Sequence, residues 1–191
     1  MAGLSLFARI DYMQLLAAVV VPTTLLASWI DFRERRVPNW LNAALALSGL
    51  AAQTAYFGWS GLVASTEGLA IGLIVLIVPW AMHGMGAGDV KLMAAIGAWF
   101  GPALCLAAFV AGALVGGVIA IIMITLQRKW LFARANMGVI TAKLSRWDTA
   151  FGEFGSARSF GATSSLLPYG IPLTIGSWIV LTLNLWGAWR V

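Results

Sequence analysis

Charge is scarce in this chain. Only 10% of its 191 residues are Asp, Glu, Lys or Arg, where soluble domains carry about a quarter. Histidine and cysteine are scarcer still, at one each, His83 and Cys105. One cysteine excludes an internal disulfide framework and a CxxC metal pair, and one histidine excludes an HExxH zinc site. No GxSxG stretch announces a nucleophilic serine. Cys105 lies in an apolar run and reads as a small packing residue; His83 reads as a membrane-boundary residue.

What fills the space is hydrocarbon. Hydrophobic residues make up 61% of the chain and ten are tryptophan, with a mean hydropathy of +0.89. These are the proportions of an integral membrane protein, whose helical spans each need about 20 apolar residues. Six segments answer to that description, roughly residues 12–30, 39–57, 62–82, 90–100, 102–126 and 170–189. The expected fold is all-α, a polytopic membrane helix bundle of about six transmembrane helices. The fourth segment, VKLMAAIGAWF, is short and abuts Gly101 and Pro102, so it either begins earlier in a glycine loop or crosses a thin region. The first apolar stretch lacks a small-residue cleavage site and is expected to be retained as a span.

The basic residues are unevenly placed. Ten of the twelve fall in the loop DFRERRVPN (Arg33, Arg35, Arg36), at Lys91, and between 127 and 167 (Arg128, Lys129, Arg134, Lys143, Arg146, Arg158). With alternating spans these places share one face, whereas the connections near 58–61 and at 101 carry no Lys or Arg. The positive-inside rule assigns the charged face to the cytoplasm and both termini to the outside. That accounts for the positive charge without a nucleic acid partner. Residues 127–167 mix Trp130, Phe132, Ile140, Leu144 and Trp147 with basic residues before a Gly/Ser-rich stretch. This suits an interfacial helix on anionic lipid followed by a linker, or a soluble insertion that contacts a substrate or partner.

Two acidic residues fall at expected membrane boundaries: Asp31 ends the first span and Asp89 begins the fourth, on the same face. Ionisable groups near hydrocarbon are costly and usually serve a function. Asp89 also fits a helix N-terminal cap, but Asp31 at a helix C-terminus faces an unfavourable macrodipole and needs another reason to be there. Two carboxylates in a poorly hydrated place cannot both ionise easily, so they share a proton. That is the equipment of an aspartyl protease: one carboxylate takes a proton from water as the other polarises a peptide carbonyl. The glycines before Asp89 let an extended substrate backbone approach.

Gly86-Ala87-Gly88-Asp89 reads as a GxGD motif continued as GDVKLM. IDFRERRVPNWLN places an aspartate before a short basic loop, a branched aliphatic residue, Pro and Asn. Together they resemble the type IV prepilin peptidases, bacterial membrane aspartyl proteases. The resemblance runs from about residue 10 to 126 and resumes at LPYGIPLTIG, 167–176. In presenilin and signal peptide peptidase, which share GxGD, the first aspartate follows a tyrosine; here Ile30 precedes it. The resemblance implies Asp31 and Asp89 as the catalytic dyad, Gly86 and Gly88 as the active-site loop, and Pro38 and Asn39 as the start of the second helix.

It also implies substrates like prepilin or pseudopilin precursors, cut at the cytoplasmic membrane face, in an inner membrane that houses the pilus assembly machinery. Longer relatives carry an N-terminal domain with paired CxxC zinc ligands and an N-methyltransferase activity. This chain shows neither, and resembles instead the short enzymes serving Flp-type pili of tight-adherence systems. The expectation is a single membrane-embedded peptidase domain over 1–191, with no metal, no cofactor and no methyltransferase activity.

Lys91, one turn into the helix, either supports the site or snorkels to lipid phosphate. Glu67 reads as a residue near the outer interface. GxxxG pairs at Gly68/Gly72 and Gly112/Gly116 permit close helix packing, inside the chain more often than between chains. The rival reading is a small ion- or proton-coupled transporter using the two aspartates, which predicts polar residues at mid-depth or broken repeats. A structural subunit of a secretion apparatus is the third; it predicts that neither aspartate is needed.

Overall fold

The computed structural model describes residues 11–34, 36–81, 85–126 and 169–186. The readings of His83 and of 127–167 lie outside them. Every regular element among the described residues is a helix: α1 (Tyr12–Glu34), α2 (Asn39–Ala81), α3 (Ala87–Leu126) and α4 (Gly170–Leu185). The first three are long and apolar enough to cross a membrane, and α4 is a shorter apolar helix. The molecule is an all-α membrane helix bundle.

Two of these helices are themselves pairs. Gly58 breaks α2 with φ 64° and ψ −139°, and Gly101 breaks α3 with φ 71° and ψ −178°. Only glycine takes such angles cheaply, and the breaks fall at the two uncharged connections between expected spans. The short fourth segment starts at Ala87, inside the glycine loop, rather than at residue 90.

That segment is the hub. Leu92 to Phe100 are all buried, with only Lys91 exposed beside them, as a helix hydrophobic all round must be. From 87 to 100 it is about 20 Å long at the α-helical rise, shorter than the hydrocarbon core of about 30 Å. It is short because neighbouring helices enclose it. Where it ends, its terminal carbonyls lack helical partners, and three polar side chains supply them. Tyr12 donates to the Trp99 carbonyl, as does Gln53 at 3.1 Å, and Ser65 donates to that of Ala98 at 2.6 Å. This explains the buried Gln53 and Ser65 in otherwise apolar helices.

Glycines set the helix spacing. A Cβ on Gly68 would lie 2.1 Å from the Gly97 carbonyl oxygen, and one on Gly72 would lie 2.5 Å from that of Met93. The second half of α2 therefore runs antiparallel against the hub at backbone contact. Gly112 and Gly116 face Pro172 in the same way, and Gly176 faces Gly112, which sets the second half of α3 antiparallel to α4. Both GxxxG pairs are spent inside the chain. Cys105 is fully buried, its sulfur 2.9 Å from where a Cβ on Gly97 would be, which fits its reading as a packing residue.

α1 buries one stripe: Tyr12, Leu16, Val20, Thr24, Ala27 and Asp31. Steps of three and four residues keep these on one helical face. A polar ladder joins the stripe to α4. Trp178 Nε1 donates to Thr24 Oγ1 at 3.0 Å, Thr174 and Ser28 share a hydrogen bond of 2.7 Å, and the Gly170 N–H reaches Asp31. The two helices are antiparallel, so the C-terminal end of α1 meets the N-terminus of α4. At that end of the bundle Trp29, Phe32 and Trp40 are exposed, and at the other end Phe57, Trp59 and Trp186 are, the disposition of aromatic belts at two interfaces.

Candidate active site

Asp31 and Asp89 are among the few buried charged or polar residues, at 5% and 6% exposure. Asp31 ends the buried stripe of α1, which turns its carboxylate inward. Asp89 stands in the first turn of the hub, its N–H donating to the Gly86 carbonyl at 3.2 Å. The two carboxylates lie within electrostatic reach of each other. Residues 58 positions apart in sequence thus lie at the same end of the bundle.

The structure supplies the reason that Asp31 lacked as the end of its own helix. Its Oδ2 accepts from the Gly170 N–H at 3.3 Å, so it faces the positive end of α4, and the penalty from α1 is offset. Gly170 must be small: a Cβ there would stand 3.0 Å from the same Oδ2. Asp89 therefore sits at the start of its own helix and Asp31 against the start of α4. Tyr169, just before α4, closes the neighbourhood; burial and then the Asp89 charge push its phenol above the usual range, both penalising the phenolate.

Asp89 Oδ1 is buried and has no hydrogen-bond partner. A carboxylate serving only as a cap directs its oxygens to helix N–H groups; this one holds an acceptor in reserve. Its glycines differ in role. A Cβ on Gly86 would come within 3.3 Å of Asp89 Oδ2, so Gly86 leaves that oxygen open. Gly88 is pressed on the loop before α2, its absent Cβ 3.1 Å from Val37 N.

The remaining expected site residues hold the frame. Pro38 precedes α2, its carbonyl accepting from Asn42 N at 3.3 Å. Asn39 opens α2 and accepts from Lys91 Nζ at 2.8 Å, an exposed bond that ties the hub to α2 and directs the ammonium to Asn39. Glu67 is exposed and takes no part. One residue escaped the sequence reading: Asn42 donates from Nδ2 to the Gly88 carbonyl at 3.1 Å. The available signal was an amide among apolar neighbours on the first turn of α2. Among the described residues no group of three or more His, Cys, Asp or Glu is placed to hold a metal ion.

The chain is a membrane helix bundle with two buried aspartates at one end. The model of the type IV leader peptidase family matches residues 18–121, and the chain belongs to that family. It is similar to a prepilin leader peptidase/N-methyltransferase of Xanthomonas campestris pv. campestris, 32% identical over 138 residues that cover 62% of this chain. The aligned stretch spans 42% of that relative's length. No solved structure matches.

Proposed function

We propose that this chain is a membrane aspartyl endopeptidase of the GxGD type that cleaves the short basic leader from type IV prepilins. The observation that carries the proposal is the burial of Asp31 and Asp89 at the same end of the bundle, Asp31 against the start of α4 and Asp89 in the first turn of α3. One carboxylate takes a proton from a water molecule as its oxygen attacks the scissile carbonyl carbon. The other, protonated, donates a hydrogen bond to the carbonyl oxygen, and the C–N bond breaks as the amine leaves with a proton. Membership of the type IV leader peptidase family supports the substrate class.

The finer reading is an inner-membrane enzyme of about six spans with both termini outside. The Asp31–Asp89 end faces the cytoplasm, where a prepilin's basic leader resides. Arg33, Arg36 and Lys91 at that end support this orientation. Flp-type prepilins are the proposed substrates, with anionic lipid and the pilus assembly machinery as further partners.

The test is purified protein in liposomes with a full-length Flp-type prepilin, read by product mass. Wild type is expected to cut one leader bond, and Asp31→Asn and Asp89→Asn, which keep shape and remove titration, to cut none. Cleavage at wild-type rate by either variant overturns the dyad. Cation or proton flux lost in both variants, without cleavage by folded wild type, moves the assignment to a transporter.

A further inference from the structure

Asn42 is an amide in an unlikely position. Its side chain is 4% exposed, flanked on α2 by buried Leu41 and Leu45. Burying an amide in apolar surroundings costs several kcal/mol unless it finds partners. Half of it does: Nδ2 donates to the Gly88 carbonyl, and Oδ1 has none. The acceptor is the point of interest, because the Gly88 carbonyl belongs to the peptide unit that carries the N–H of Asp89. Held at that oxygen, the peptide plane cannot rotate, and Asp89 hangs from its other end.

A second contact works on the same residue. Gly88 is packed close against Val37, where a Cβ would stand 3.1 Å from the Val37 nitrogen, so the loop before α2 borders it on one side while Asn42 holds it from another. The Lys91–Asn39 bond closes the same seam one turn further along. The first turn of α2 is thus a rigid wall for the loop, and a carboxylate that must be held within about 0.5 Å needs such support.

Resting on the peptidase reading, we infer that Asn42 is a positioning residue for Asp89. It fixes the Gly88–Asp89 peptide through Nδ2. The plain alternative is an interhelical hydrogen bond, worth about 0.6 kcal/mol in membrane bundles, that holds α2 to α3 and nothing more.

The two differ in what a substitution moves. Asn42→Leu keeps the branched outline with some added volume and removes both polar atoms; Asn42→Gln keeps the carboxamide. In prepilin cleavage, Asn42→Leu is expected to lower kcat by about 10- to 100-fold, the effect of misplacing a reacting group by up to about 1 Å. KM stays within about threefold, because the change is in the reacting group rather than in ground-state binding. The thermal midpoint is preserved and Asn42→Gln recovers part of the rate.

Wild-type kcat in Asn42→Leu overturns the inference, as does a loss of midpoint with kcat kept. Should Asn42→Leu fail to fold, Asn42→Thr, whose hydroxyl falls short of Gly88, decides by the same kcat comparison. Should wild type cut no prepilin, the proposed function falls separately. The rate of carbodiimide modification at Asp89, mapped by mass, then settles the clamp: an altered rate in Asn42→Leu sustains it and an unchanged rate overturns it.

Discussion

Replacing Gly170 by alanine separates the site from the fold. An added Cβ would stand 3.0 Å from Asp31 Oδ2 and 3.4 Å from its Cβ and Cγ, against ordinary carbon contacts of about 3.5–4.0 Å. The carboxylate must retreat by roughly half an ångström, which also stretches the Gly170 N–H bond beyond its 3.3 Å. Half an ångström is about the tolerance of a catalytic group, and a displacement of 1 Å costs about 100-fold. The expected loss in kcat is therefore about 10-fold. The backbone at Gly170 is helical, and alanine is favoured over glycine there by up to about 1 kcal/mol. Thermal stability should hold or rise slightly while activity falls. Cleavage kinetics and a melting curve on the same detergent sample decide it. Wild-type kcat in a folded Gly170→Ala protein would refute the geometry assigned to Asp31, and a collapsed melting transition would refute the separation of site from fold.

Three further outcomes follow from the packing. Gly68→Val puts atoms where the Gly97 carbonyl oxygen stands 2.1 Å from even a Cβ; overpacking costs about 1–3 kcal/mol, and the melting midpoint should fall by several degrees with cleavage lost in parallel. Gly101→Ala meets no close atoms but forces alanine to φ 71° with ψ −178°, a conformation essentially confined to glycine that costs about 1–3 kcal/mol, so stability should drop while kcat at permissive temperature stays near wild type. Lys91→Met removes an exposed bond to Asn39 and should change stability by less than about 0.5 kcal/mol and kcat by less than about twofold. A 10-fold loss of kcat would return Lys91 to the site.

The burial of Asp31 and Asp89 was legible as a question, because charge is so rare here that each acidic residue had to be explained, and their boundary positions sorted them. The hub was harder. VKLMAAIGAWF is too short for a span and too apolar for a loop, and sequence offers no sign that a helix can be short because others wrap it. That fact lies in the Gly68–Gly97 and Gly72–Met93 contacts, which join segments far apart in the chain. Asn42 was missed for a similar reason. A polar residue near a helix start is unremarkable until the fold shows it is buried and what its donor meets.

The polar residues divide by what they satisfy. Tyr12, Gln53 and Ser65 answer the orphan carbonyls at the C-terminal end of the hub with donated hydrogen bonds. At the N-terminal end the pattern differs: Asn42 and Asp89 each keep one buried oxygen without a partner. Both ends are built by the same helices, so packing alone does not explain why one is satisfied and the other is not. A fold that meets its polar obligations 10 residues away leaves acceptors open at Asp89 at a cost of about 1–3 kcal/mol each. On the proposed peptidase reading, that cost is what a site prepared for water and a peptide N–H carries before they arrive.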